Sequence, residues 1–282
     1  MSTNRMDLRY VKSCFNYTGG KYKILDQIIP LFPDNISTFI DLFGGGFNVG
    51  VNVTAECIIY NDICTQMVTF FRYVQDKEIE ELLYEISIYI RRYQLSKDNK
   101  AGYLQLREAY NSSVIKEPMM LYTLLCYSFS NQIRFNSKGE FNVPFGKRSF
   151  NANMKENFIN FHKNIKSKNI YFLNNPLAKF NFDSVTKTDF VYVDPPYYKS
   201  TATYNENGKW IEKDEKQLLN ILDEINDNGI KFALSNNLKY QNTLLAEWIK
   251  KYTIHYLIND YSSCNYQKKD KSRDIEILVT NY

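Results

Sequence analysis

Four β-forming residues, Phe190-Val191-Tyr192-Val193, run straight into Asp194-Pro195-Pro196-Tyr197-Tyr198. Neither proline has an N–H to give to a ladder, so a strand built from the first four residues must stop there. Asp194 is then left at the carboxyl edge of a strand, the edge at which open α/β sheets hold their ligands. An acid, a rigid carbonyl and a flat ring together make a socket for a planar amino group. Asp194 accepts one N–H, the Pro195 carbonyl accepts the other, and Tyr197 stacks on the ring that carries them. A lone Asp-Pro-Pro would read as a structural turn. The β-forming run before it and the two tyrosines after it favour a functional reading.

The rest of the chain supplies a sheet for that edge. Phe39–Phe43 reads as a buried strand entering Gly44-Gly45-Gly46, where glycine permits a tight turn and a close approach of ligand to backbone. Ile58-Ile59-Tyr60 ends at Asn61-Asp62, and Asp62 stands eighteen positions after Gly44. That is close to the ~20-residue offset at which nucleotide-binding α/β units set an acid on ribose hydroxyls. Upstream, Phe15-Asn16-Tyr17-Thr18-Gly19-Gly20-Lys21 is a polar glycine-bearing loop ahead of the apolar-periodic segment Ile24–Leu31. Such a loop can bring backbone N–H groups and a lysine to an anion, here a carboxylate, although its spacing is not that of a P-loop. Further strands are predicted at Ile170–Leu173, Lys231–Ser235, Ile254–Ile258 and Ile275–Thr280, the last two as an antiparallel pair. A helix over Glu215–Asn228 is closed by Gly229. The Lys268, Lys269, Lys271 and Arg273 cluster between the last strands is either a solubilising loop or a phosphate contact.

Between Met67 and Lys166 the periodicity turns helical. Ile79, Leu82, Leu83, Ile86 and Ile90 mark one amphipathic helix, Tyr103–Tyr110 a second, and Pro118 the first turn of a third. These stripes read as packing, and the segment as a helical insertion. Within it, alternation on both sides of Asn136–Gly139 predicts a β-hairpin over 132–148. Its Arg, Asn, Gln and Lys side chains are of the types that bond base edges and phosphates. The expected division is 1–66 and 167–282 for a two-part catalytic unit and 67–166 for the insertion.

Composition closes off other classes. Five scattered cysteines (Cys14, Cys57, Cys64, Cys126, Cys264) without a C-x-x-C pair give neither a disulfide framework nor a zinc site. Two distant histidines, His162 and His255, argue against a histidine-based catalytic apparatus, and no metal is expected. The polar, charged Met1–Val11 is no signal peptide and no run reaches the length of a membrane span, so a cytoplasmic protein without membrane contact is expected. With a net charge of only +4, any nucleic-acid surface must come from local clustering.

Taken together, Tyr17-Thr18-Gly19-Gly20-Lys21, Asp41-Leu42-Phe43-Gly44-Gly45-Gly46, Asn61-Asp62-Ile63 and Asp194-Pro195-Pro196-Tyr197 resemble the Dam family of DNA adenine-N6 methyltransferases. The order of the motifs resembles its α group, and the hairpin, Ser130–Arg134 through Pro144–Arg148, resembles the phage-type enzymes. The resemblance covers nearly the whole chain. It implies a seven-stranded methyltransferase sheet of α/β, Rossmann-like class with an inserted helical target-recognition domain. It also implies S-adenosyl-L-methionine as methyl donor, double-stranded DNA as substrate, GATC as target, and a monomer or weak dimer. Carried across by position, Tyr17, Thr18, Gly19, Lys21, Gly44, Asp62 and Asp194 are cofactor-binding. Asp194, Pro195 and Tyr197 form the adenine socket, and Arg134, Asn136, Pro144 and Arg148 contact DNA, with Arg148 on a guanine. Leu177 and Gln132 depart from the pattern, which has an aromatic at the first and an apolar residue at the second. The rival readings are a methyltransferase acting on cytosine N4 or on a protein glutamine, whose relatives carry Ser or Asn before Pro-Pro, and a catalytically silent DNA-binding relative, which would lack the acid or the glycines.

Overall fold

The computed structural model describes residues 10–198, 210–240, 242–258 and 275–282. The lysine cluster after Ile258 and Cys264 lie outside the described residues. The described chain runs in order through α1 (Leu25–Ile28), β1 (Ile36–Asp41), β2 (Ala55–Asn61), α2 (Thr65–Asp76), α3 (Ile79–Arg92), α4 (Lys100–Ser112) and α5 (Pro118–Tyr127). It continues with α6 (Ala152–Lys166), β3 (Ile170–Leu173), β4 (Phe190–Val193), α7 (Glu212–Asp227), β5 (Lys231–Asn237), α8 (Thr243–Trp248), β6 (Thr253–Leu257) and β7 (Glu276–Thr280).

The seven strands lie in the order β3-β2-β1-β4-β5-β7-β6. Only β7 opposes its neighbours, pairing antiparallel with both β5 and β6. This is the expected α/β sheet of S-adenosyl-L-methionine-dependent methyltransferases. Alternation along β4 shows how the sheet is held. Phe190 and Tyr192 enter one core with Phe39 and Tyr60, while Val191 and Val193 enter the other with Leu218 and Phe232. The strand is buried on both faces, which is why it reads as a continuous β-forming run.

The helical segment is not a separate body with its own core. A chain of rings, Phe15–Phe70 at 4.6 Å, Phe70–Tyr122 at 5.5 Å and Tyr122–Phe158 at 4.7 Å, joins the N-terminal loop, α2, α5 and α6. Such pairs add about 0.5–1.5 kcal/mol each beyond their buried area. The same core reaches Phe172 of β3 through Phe71.

The apolar-periodic segment Ile24–Leu31 folds as the four-residue α1 followed by a 3-10 turn at Ile29–Leu31, where Pro30 has no N–H to continue the helix. One expectation needs adjustment. The hairpin is reduced to two isolated antiparallel bridges, Phe135 with Phe141 around the Asn136–Gly139 turn and Ser128 with Phe145. Pro144 has no N–H to pair, and Ser130, Asn131 and Lys147 hold positive φ, so regular strands do not extend on either side.

Candidate active site

Register brings the acids together. Asp41 pairs with Tyr192, so the carboxyl ends of β1 and β4 are level, and Asp194 leaves the sheet beside Asp41. β2 lies on the other side of β1 and delivers Asn61 and Asp62 to the same edge. A cavity of about 410 Å³ opens there. It joins Tyr17–Lys21, Leu42–Gly46, Asp62, Asp194–Tyr197 and, from the hairpin, Ile133–Phe135.

Each loop at this edge is fixed by a specific device. Gly20 N donates to the Tyr17 carbonyl at 3.1 Å across a turn whose third residue, Gly19, has φ +79°. Only a residue without Cβ adopts that φ cheaply. At Gly44 an added Cβ would stand 2.3 Å from the Tyr60 ring, and at Gly45, with φ +47°, it would meet the Tyr17 ring at 2.9 Å. Asp62 then locks the turn, accepting from Gly45 N at 2.8 Å and from Cys64 N at 2.7 Å. Burial raises its pKa, partly offset by those two donors. Asn61 bridges the Leu42 and Asn175 carbonyls at 3.1 and 3.0 Å and receives Asn175 N, so the loop bearing Leu177 is tied to β2.

The centre of the site is Lys21, whose side chain is 2% exposed. Its ammonium donates to both oxygens of Asp194 at 2.8 Å, to Tyr197 Oη at 2.9 Å and to the Gly19 carbonyl at 3.0 Å. It also stands 3.3 Å from Glu276 Oε1. Glu276 is fully buried and accepts from Tyr197 Oη at 2.6 Å and from Asn237 Nδ2 at 3.2 Å. Burial works against the Lys21 charge, but Asp194, Tyr197 and Glu276 outweigh it and its pKa is raised. Burial lifts the Asp194 carboxyl to about 6 against the pull of Lys21, so it is ionised at neutral pH. Among the described residues Asp41 has no such cation. Burial lifts it to about 7, only partly countered by its bond from Gly50 N, with Asp194 and Asp62 adding to the rise.

The predicted residues therefore divide. Tyr17, Thr18, Gly19, Lys21, Gly44, Asp62, Asp194, Pro195, Tyr197 and Arg134 all line this cavity. Arg134 is held over its own hairpin by Asn142, with Nε 2.7 Å from Oδ1. Asn136 is used in the turn itself, its Oδ1 accepting from Lys138 N and Glu140 N at 3.0 Å and its amide donating to Glu140 at 2.8 Å. Pro144 is exposed and its carbonyl accepts from Phe129 N at 2.8 Å. Arg148 lies outside the cavity, on an adjoining groove. Sequence reasoning missed Glu276, Trp210, Asp214 and the part played by Asp41. Trp210 packs edge-on against Phe43, with ring centroids 5.6 Å apart, at the wall that also carries Leu177.

Four acids, Asp41, Asp62, Asp194 and Asp214, line the cavity against Lys21 and Arg134 among the described residues. Such a lining suits a ligand that carries positive charge and ribose hydroxyls, and S-adenosyl-L-methionine is one. Among the described residues no helix is long and apolar enough to cross a membrane, and no three His, Cys, Asp or Glu are grouped to hold a metal ion.

A profile of the D12 class of N6 adenine-specific DNA methyltransferases matches residues 17–263. The chain is 43% identical, over 97% of its length, to Type II methyltransferase M.FokI of Planomicrobium okeanokoites, and 40% identical to Modification methylase StsI of Streptococcus sanguinis. It is 25% identical over 86% of its length to DNA adenine methylase of Escherichia coli, of which it covers 86%. The chain spans only 43% of M.FokI and of StsI. The higher identities thus belong to type II modification enzymes rather than to Dam proteins.

Proposed function

The chain belongs to the D12 class of N6 adenine-specific DNA methyltransferases, and from that premise we propose that it methylates N6 of an adenine turned out of duplex DNA, using S-adenosyl-L-methionine. The observation that carries this reading is the single cavity shared by the glycine loop, Asp62, the Asp194–Tyr197 corner and the hairpin residues Ile133–Phe135. Tyr17–Lys21, Gly44 and Asp62 hold the methyl donor, which supplies an electrophilic sulfonium methyl. Asp62 keeps a second lone pair on each oxygen for ribose hydroxyls after taking its two backbone N–H groups.

The adenine amino group is a weak nucleophile because its lone pair is delocalised into the ring. Asp194, ionised above about pH 6, accepts one N6–H, and the Pro195 carbonyl accepts the other. Both bonds favour a pyramidal nitrogen whose lone pair is localised toward the methyl, and fixed alignment supplies much of the rate. Extruding the base costs roughly a few kcal/mol. Stacking on Tyr197, whose ring is pinned through Glu276, returns about 1–3 kcal/mol of that.

Residues 67–166 are the target-recognition part, with Arg134, Asn136, Pro144 and Arg148 meeting DNA from the hairpin, Arg148 on a guanine. GATC is the candidate target, supported by the likeness of the hairpin to Dam. Relatives named as modification methylases support a place beside a restriction enzyme as the alternative to a solitary role. The deciding experiment incubates the protein with radiolabelled S-adenosyl-L-methionine and defined duplexes, GATC and each singly substituted site, followed by nucleoside analysis. N6-methyladenine is expected. N4-methylcytosine, or no product, overturns the reading, whereas N6-methyladenine at another sequence replaces only the target.

A further inference from the structure

Beside the catalytic cavity lies a second groove of about 610 Å³. Its walls carry Lys12, Lys97, Lys147 and Arg148, and among the described residues that line it there is no Asp or Glu. All four cations are exposed, and none of them forms an ion pair among the described residues. They come from three separate places in the chain, the N-terminal loop, the α3–α4 connection and the end of the hairpin, so their convergence is a product of the fold. The rest of the polar lining is neutral amide and hydroxyl, and much of the amide is already used. Asn16 donates to the Ser130 carbonyl at 2.8 Å, and Asn157 to the Ser13 carbonyl at 2.9 Å. Two lining residues, Asn131 and Lys147, hold φ of +52° and +49°, a costly region for side chains with a Cβ and one that recurs at binding sites.

We infer that this groove takes the phosphate backbone of the DNA flanking the target base, with Lys12 and Lys97 as phosphate contacts outside the hairpin. The inference rests on the proposed DNA substrate. A concave surface with four unopposed cations selects a polyanion, and the exposed ammonium groups of lysine suit phosphate as point charges. The groove also lies where a flanking backbone must pass. The same loop lines it through Lys12–Asn16 and lines the catalytic cavity from Tyr17 onward. A parallel bridge between Asn16 and Gln132 stands between the two openings. Five residues from Lys12 to Tyr17 span at most ~18 Å. At ~3.4 Å per base pair, the phosphates concerned lie within about five base pairs of the extruded adenine.

The test is the salt dependence of binding to a 30-base-pair duplex, for the wild-type chain, Lys12→Ala/Lys97→Ala, and the control Lys187→Ala/Lys231→Ala. The control removes the same charge at the amino edge of the sheet, where Lys231 begins β5. A slope of about −0.9 per phosphate contact predicts that the groove variant loses about 1.8 from the log–log slope. Between about 50 and 200 mM salt the wild type then loses roughly tenfold more affinity than the variant. The control keeps the wild-type slope, and the groove variant weakens target and scrambled duplexes alike. An unchanged slope in the groove variant, or an equal drop in the control, overturns the inference while leaving the proposed function standing. A wild type that binds no duplex overturns both.

Discussion

Asp41→Asn should stabilise the folded chain increasingly as pH rises. Asp41 is 2% exposed, lies at the end of β1 and, among the described residues, accepts one hydrogen bond, from Gly50 N at 3.1 Å. Its pKa is about 7 in the folded chain against the usual 3.8. Across that window the folded state holds a proton on Asp41 that the unfolded state has lost, so the unfolding free energy falls as pH rises. At 1.36 kcal/mol per unit over 7 − 3.8 = 3.2 units, the ceiling is about 4 kcal/mol lost between pH 4 and 8. Asparagine keeps the acceptor for Gly50 and sets an NH₂ where the protonated carboxyl sets its O–H, at the wall of the cavity. The variant is therefore expected to match wild type within about 1 kcal/mol at pH 4 and to be more stable by up to about 4 kcal/mol at pH 8. Asp194 titrates in the same range in both proteins and largely cancels in the difference. Urea unfolding at unit pH steps, fitted with a common m-value, measures it. Parallel stability curves for the two proteins would refute the reasoning, because they would mean that Asp41 carries no raised pKa in the folded state.

The other predictions concern the chemistry. Asp194→Ala should bind duplex DNA as wild type does while single-turnover methyl transfer falls by roughly 10²–10³-fold, the usual loss for a preorganised electrostatic contact; a near-normal rate would remove Asp194 from the socket. Glu276→Gln keeps an acceptor for Tyr197 but removes a negative charge that helps raise Asp194, so the acid limb of the single-turnover pH profile should move below about 6. An unmoved limb would mean that Glu276 is structural only.

What the sequence disclosed, and what it hid, follows from the range of the interactions. Ile170–Leu173 and Phe190–Val193 are strands over the very residues expected: burial on both faces writes itself into every position of the second, while the first, at the sheet edge, buries Ile170 and Phe172 and exposes Tyr171. Gly229 closes α7 with φ +71°, a strictly local requirement. α2 and α6 are legible too, since Met67, Phe70, Phe71 and Val74, and Phe158, Phe161 and Ile165, recur at helical spacing. Glu276 was not legible. It sits in an apolar terminal strand and meets Tyr197 from 79 positions away, through a register that only the folded sheet establishes. The hairpin was half legible, because alternation reports which side chains share a face and says nothing of the left-handed residues that break the ladder.

The proposed reaction also requires that Asp194 change partners without leaving a charge stranded, and the crowding around Lys21 allows it. An ammonium has three donor hydrogens. Here it faces Gly19 O, both Asp194 oxygens and Tyr197 Oη within 3.0 Å, and Glu276 Oε1 at 3.3 Å. With more acceptors than protons, Lys21 can give up one Asp194 oxygen and remain fully bonded. An isolated buried pair would behave differently, since separating it leaves an uncompensated charge that costs about 3–5 kcal/mol. Glu276 removes that penalty, because it stays beside Lys21 whichever oxygen Asp194 turns toward N6–H. Glu276 cannot follow the adenine, being held by Tyr197 and Asn237. The bond from Lys21 to the Gly19 carbonyl belongs to the same account. It ties the turn proposed to hold the methyl donor to the acid proposed to hold the acceptor, so one buried ammonium sets the distance between the two reactants' sites.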